Sequence, residues 1–287
     1  MANTDDRLPP TTRVGRVTLR VNDLDRLVGF YRDVVGLAVL ERDDDRATLG
    51  ADDPLLELLA DPDAPERGHE ETGLFHAAFR VPSREALGDA LGRIRGRWHF
   101  DGASDHLVSE ALYLTDPEGN GIEIYRDRPR SEWPTTGDGR VEMDTRRLDT
   151  DAIADLGRGR RAVPDQTTVG HVHLEVSSLP AAHAFYVDGL GLGVRQEWSD
   201  AALFVAAGDY HHHVGLNTWN GRTTPAKGRG LERFELLVSS EEALEATRGR
   251  LEERGVEVAA GNAGLVVADP DGIELCLRVD SDGTSAC

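Results

Sequence analysis

Residues 104–125, SDHLVSEALYLTDPEGNGIEIY, place a histidine (His106), a tyrosine (Tyr113), a tight turn (Asp116, Pro117, Gly119) and a glutamate (Glu123) in one hairpin-like run. Residues 107–114 read as a strand with Leu112 and Leu114 opposite Tyr113, because side chains alternate along an extended chain. The segment DPEGNG, 116–121, is turn chemistry, since proline fixes φ and glycine admits positive φ. Residues 122–125 return as a second strand, with Glu123 and Tyr125 on one face. A carboxylate on a strand otherwise built of Ile122, Ile124 and Tyr125 needs a partner. A metal ion is one candidate and a cross-strand ion pair the other.

The run resembles the signature of extradiol ring-cleaving dioxygenases on His106, Leu112, Tyr113, Asp116, Pro117, Gly119 and Glu123. The resemblance implies that Glu123 is an iron ligand and that His106 and Tyr113 act on a catechol and on oxygen. One departure stands: Ser104 lies two before the histidine, where that family has Gly, Asn, Thr or an aliphatic residue.

Working outward, the chain contains a duplication. Residues 29–37, GFYRDVVGL, answer to residues 184–192, AFYVDGLGL, and the preceding strands RVTLRV (16–21) and HVHLEV (171–176) match at the same offset. Two further units begin at FHAAFRV (75–81) and RFELLV (233–238), each leading a helix and ending in a DPxG turn, residues 116–119 and 269–272. Four βαβββ modules are therefore expected, at about 13–60, 73–128, 168–221 and 231–279. This organisation resembles the glyoxalase/bleomycin resistance/extradiol dioxygenase (vicinal-oxygen-chelate) superfamily. The resemblance implies an α+β fold in which modules pair into two cup-shaped, partly open β-barrels. The expected domains are an N-terminal pair of modules (12–128), a polar connector (129–166) with a short helix near 150–156, and a C-terminal pair (167–280). Trp133 is expected to cover a seam, and Tyr31 and Tyr186 to be core.

The position five residues before the valine that closes each first strand holds Arg16, His76, His171 and Arg233. Pairing modules one with two and three with four would give each cup an arginine, which cannot ligate a metal. Pairing two with three gathers His76, His171 and Glu123, the two-imidazole, one-carboxylate set that suits non-haem Fe(II) with open positions. The other cup would then hold Arg16, Arg233, Glu57 and Glu274 as a structural ion-pair cluster. His173 shares a face with His171 and is the alternative ligand, although the repeat alignment favours His171. In the run 211–213, His211 and His213 are expected on one strand face with His212 opposed, and His213 is placed among the catalytic residues with His106 and Tyr113. His69, His99 and His183 read as surface or packing residues.

The resemblance implies cleavage of a small aromatic diol with O₂ at Fe(II), giving a ring-opened semialdehyde; Mn(II) meets the same ligand demands. The proton transfer this requires suits an imidazole, whose ordinary pKa is about 6.5; His106 is the candidate. Competing readings on the same scaffold are a glyoxalase-I-like metal-dependent lyase or isomerase, with Glu57 as an extra carboxylate, and a non-enzymatic bleomycin-resistance-type binding protein. The chain has 287 residues and a formal net charge of −20, with 52 acidic and 32 basic residues and Lys227 as its one lysine. Such a charge argues against nucleic acid and anionic membranes as partners and suggests a halophilic source. A homo-oligomer is compatible with the sequence. Cys276 and Cys287 form no disulfide framework, and no long apolar stretch is present, so a cytoplasmic protein is expected.

Overall fold

The computed structural model describes residues 7–261 and 263–280. Its elements follow the fourfold plan strand, helix and three strands. The first module is β1 (Arg13–Val21), α1 (Leu24–Phe30), β2 (Ala38–Arg42), β3 (Arg46–Gly50) and β4 (Pro54–Ala60). The second is β5 (Gly73–Arg80), α2 (Arg84–Arg97), β6 (Gly102–Asp105), β7 (Ser109–Thr115) and β8 (Gly121–Asp127). The connector contributes β9 (Arg146–Arg147) and α3 (Thr150–Ala154). The third module is β10 (Thr168–Glu175), α4 (Leu179–His183), β11 (Gly193–Trp198), β12 (Ala202–Ala206) and β13 (Val214–Asn217). The fourth is β14 (Gly230–Val238), α5 (Glu241–Glu253), β15 (Ala259–Ala260), β16 (Leu265–Ala268) and β17 (Glu274–Val279).

These strands form two curled sheets, giving the expected α+β modular fold. One runs β15-β16-β17-β14-β1-β4-β3-β2 and the other β11-β12-β13-β10-β5-β8-β7-β6-β9. The described residues divide into two compact units, one holding Arg16–Ala64 and Phe75–Gly170, the other Pro65–Leu74 with the described residues up to Gly15 and from His171 on.

Local chemistry explains the elements. Each helix begins at a side-chain cap: Asp23, Ser83, Asp149, Ser178 and Ser240 each accept a hydrogen bond from the backbone N–H three residues on. The two duplicated FY elements both widen into π-helical turns, Tyr31–Val35 after α1 and Ala184–Gly189 after α4. The first of these is closed by Gly36 at φ +94°, a left-handed conformation that glycine adopts without steric cost. The tyrosine of each π-turn is buried, and its hydroxyl donates to the aspartate of a DPxG turn at 3.0 Å, Tyr31 to Asp116 and Tyr186 to Asp269. Each aspartate also accepts backbone N–H groups of its own turn, Glu118 and Asn120 for Asp116, Asp271 and Ile273 for Asp269. Thus within each unit the helix of one module is fastened to the hairpin tip of the next.

Glu57 on β4 is buried and accepts from the Thr18 hydroxyl at 3.1 Å, with Arg46 and Arg16 guanidinium nitrogens at 3.6 and 3.9 Å. Arg278 meets Glu235 on the strand beside it at 3.1 Å, and Arg233 stands opposite Glu274 in the β14–β17 register. The Trp133 indole N–H donates to the Arg128 carbonyl at 2.9 Å, tying the connector's start to its own chain. Cys276 is buried on β17, and the expectation about the cysteine pair falls partly outside the described residues, because Cys287 lies beyond them.

Candidate metal centre

The parallel β5–β8 ladder sets Ala78 beside Glu123, so His76 and Glu123 approach from neighbouring strands. His76 Nε2 lies 3.0 Å from Glu123 Oε2, and both residues are buried. Tyr113 faces Glu123 across the antiparallel β7–β8 ladder, and its ring lies 5.9 Å from that of His76. Burial first, and then the nearby Glu123 carboxylate, push the Tyr113 phenol well above its ordinary pKa. Tyr113 is therefore a neutral hydrogen-bond donor at neutral pH.

His106 occupies the turn between β6 and β7, where its N–H donates to the Ser109 carbonyl at 2.9 Å and Leu107 takes a positive φ of 70°. Its ring is held at both nitrogens: Nδ1 is 2.7 Å from the Asp144 carbonyl oxygen and Nε2 is 2.6 Å from the Tyr113 hydroxyl. A carbonyl only accepts, so Nδ1 carries the hydrogen, and in the neutral ring Nε2 accepts from Tyr113. The connector thereby fixes the tautomer. Nothing in the residue pattern around His106 signalled this, because Asp144 lies 38 residues away in sequence.

β10 enters the same neighbourhood through Gly170. A Cβ at that position would sit 1.7 Å from the Tyr125 hydroxyl oxygen, so the strand is seated on β8 where only glycine fits. The next residue is His171. Among the described residues, one group of metal-ligating side chains converges: His76, Glu123 and His171, all buried, with one ligand atom each and all three atoms within 4.8 Å of one another.

His173 is turned elsewhere, its ring 5.6 Å from Phe204 and 5.2 Å from Trp219. The run 211–213 precedes β13 and is not part of a strand. The expected alternation therefore fails, since it holds only for extended backbone. His212 packs its ring 4.1 Å from that of His171, and His211 lies 6.0 Å away. His213 instead stacks on Tyr210 at 4.9 Å, and its Nδ1 accepts the Ala207 N–H at 3.2 Å.

The donor set fits a ferrous or manganous ion: two imidazoles and one carboxylate, with no further carboxylate in the group.

Comparison with known proteins gives the chain's relatives. The family model described as Glyoxalase/Bleomycin resistance protein/Dioxygenase superfamily matches residues 13–124 and 168–277. A catechol-2,3-dioxygenase of Bacillus subtilis (strain 168) is 40% identical over 270 residues, covering 90% of this chain and 94% of that protein. A biphenyl-2,3-diol 1,2-dioxygenase of Rhodococcus globerulus is 30% identical over 122 residues, covering 41% of this chain and 64% of that protein. Among solved structures, glyoxalase I from Zea mays matches with a TM-score of 0.60 at 17% identity, covering 94% of this chain and 92% of that one.

Proposed function

Because the chain belongs to the Glyoxalase/Bleomycin resistance protein/Dioxygenase superfamily, we propose that it is an extradiol dioxygenase that opens the ring of a catechol-type diol with O₂. The observation that carries this reading is the convergence of His76, Glu123 and His171 beside a Tyr113–His106 hydrogen-bonded pair. The three ligating residues would hold Fe(II), with Mn(II) served by the same donors. When bound, the metal supplies a Lewis-acid site for the diol and a route for electrons to dioxygen.

The remaining roles belong to side chains. Tyr113, kept neutral, presents a phenol hydrogen bonded to His106 Nε2. A proton released from the diol hydroxyl nearest Tyr113 can pass along this 2.6 Å contact to His106 Nε2. The imidazolium so formed keeps both partners, now donating to the tyrosine oxygen as well as to Asp144. Of the histidine run, His212 rather than His213 is assigned the place beside His171, because His213 Nδ1 is already engaged by Ala207. The lyase alternative needs an additional carboxylate. Glu57 does not supply it, being bound by Thr18, Arg46 and Arg16.

The test is oxygen uptake after anaerobic loading with Fe(II), with catechol as substrate. Stoichiometric uptake with a yellow semialdehyde product is expected. Tight ferrous binding with no uptake from catechol or from substituted catechols would overturn the reading.

A further inference from the structure

A second constellation stands apart from the metal-binding residues, at the end of the first π-turn. A cavity of about 230 Å³ is lined by Arg32, Asp33, Arg93, Arg97 and Arg161 together with the backbone of Gly36 and Leu37. Four guanidinium groups face one carboxylate, in a chain whose net charge is −20.

Part of this cluster is structural, and the internal duplication shows which part. Arg93 is buried and donates to the Val34 and Val35 carbonyls from Nε and Nη2, at 3.2 and 2.8 Å. Arg250 does the same in the second repeat, with Nε 3.3 Å from the Gly189 carbonyl and Nη2 2.8 Å from that of Leu190. Arg93 is thus a bolt of a kind that both π-turns employ at matching positions. The position of Arg32, however, is Val187 in the second repeat, and Arg161 comes from the connector, which has no duplicate. Neither Arg97 nor Arg161 makes a hydrogen bond or ion pair with another described residue. The opposite charge they share is Asp33, whose carboxyl Arg32 first, and then Arg97 and Arg161, hold below its ordinary value and which Arg32 already pairs at 2.8 Å. The cluster therefore keeps an excess of positive charge that an anion would offset.

The walls are also held in place. Arg93 Nη1 donates to the Arg160 carbonyl at 3.0 Å, Val163 N–H donates to the Gly36 carbonyl at 2.9 Å, and Asp89 accepts the N–H groups of Arg158 and Arg160. The connector is thereby laced to α2 and to the π-turn, giving a preformed recess. Burial pushes the Arg93 guanidinium down to about 10, which leaves it charged at neutral pH. The size of the recess lies below the range of pockets for drug-sized ligands, about 300–1,000 Å³.

We propose that this recess is a binding site for a small tetrahedral oxyanion, the phosphate ion or the phosphoryl end of a small ester, with Arg97 and Arg161 as its free arms and Arg93 as its floor. Guanidinium forks match such oxygens in geometry as well as charge.

The experiment is calorimetric titration of the iron-loaded protein with inorganic phosphate at an ionic strength of about 0.1 M, where surface charges are only partly screened. Saturable binding is expected, weakened tenfold or more in Arg97→Gln and in Arg161→Gln and abolished in the double variant, with oxygen uptake unchanged. Both arginines are exposed and unbonded, so the variants should keep the parent's melting temperature. Glycerol phosphate is the second probe. Binding as tight as that of phosphate assigns the site to phosphoryl esters, and weaker binding assigns it to the free ion. No saturable binding in the parent, or binding retained by the double variant, would overturn the proposal.

Discussion

Tyr113 is shared between two groups with different demands. Glu123 lies across the strand pair and, with burial, keeps the phenol protonated, while His106 accepts its hydrogen at 2.6 Å. Losing either neighbour should therefore have different consequences. Glu123→Ala removes a proposed ligand and is expected to lose the metal itself, measured as iron per chain after Fe(II) loading and gel filtration. His106→Phe leaves the proposed ligand set intact and is expected to keep full iron while turnover falls by about 10²–10⁴-fold, the usual contribution of a positioned acid or base. Equal iron loss in the two variants would refute the division of roles. At this scale the sequence was most informative where turn chemistry fixed geometry. The DPEG turn dictates that β7 and β8 pair, and pairing sets Tyr113 opposite Glu123. The run 211–213 was illegible for the opposite reason: without a strand to impose a period of two, neighbouring histidines are aimed by loop contacts such as that of His213 with Ala207. The role of Gly170 was equally hidden, since only the structure shows the Tyr125 hydroxyl over it.

Among the elements, the two Tyr–Asp fastenings have a measurable pH signature. Burial raises the Asp269 carboxyl from 3.8 to about 6, against the lowering by its hydrogen bonds from Ile273, Tyr186 and Asp271. Between those values the folded protein holds a proton that the unfolded chain releases, so this group's contribution to stability falls as pH rises through the window. A shift of that size corresponds to about 3 kcal/mol, fully present by pH 7 and relieved toward pH 4. Asp269→Asn cannot ionise and keeps an oxygen for the turn. The stability of the parent relative to this variant should therefore increase as pH is lowered from 7 to 5, as measured by urea unfolding at each pH. A difference that stays constant would show that Asp269 does not titrate in this range. The modular plan itself was readable because FY elements, caps and DPxG turns recur at matching places in the repeats. What pattern alone did not reveal is that the repeated tyrosines and turn aspartates bind one another, since the partners lie 85 and 83 residues apart.

Charge governs the molecule as a whole. A formal charge of −20 over 287 residues produces self-repulsion that the compact state feels more than the unfolded chain. The Debye length is about 10 Å at 0.1 M salt and about 3 Å at 1 M, so added salt removes most of that repulsion. Salt also weakens exposed pairs such as Arg13–Asp280 and Arg32–Asp33, at 2.7 and 2.8 Å, but solvent-exposed pairs of this kind add little to stability in the first place. The pairs that matter more, Glu57 with its arginines and Glu175 with Arg67 and Arg222, have buried carboxylates and are screened much less. Repulsion is thus the term most reduced, and the melting temperature should rise steadily as NaCl is raised from about 0.1 to about 1 M. KCl at equal ionic strength should give the same rise, because screening depends on ionic strength and not on the cation. A melting temperature that is flat or falls with NaCl would mean that surface ion pairs, rather than net charge, dominate the electrostatics of the fold. A rise with one cation only would point to specific binding in place of screening.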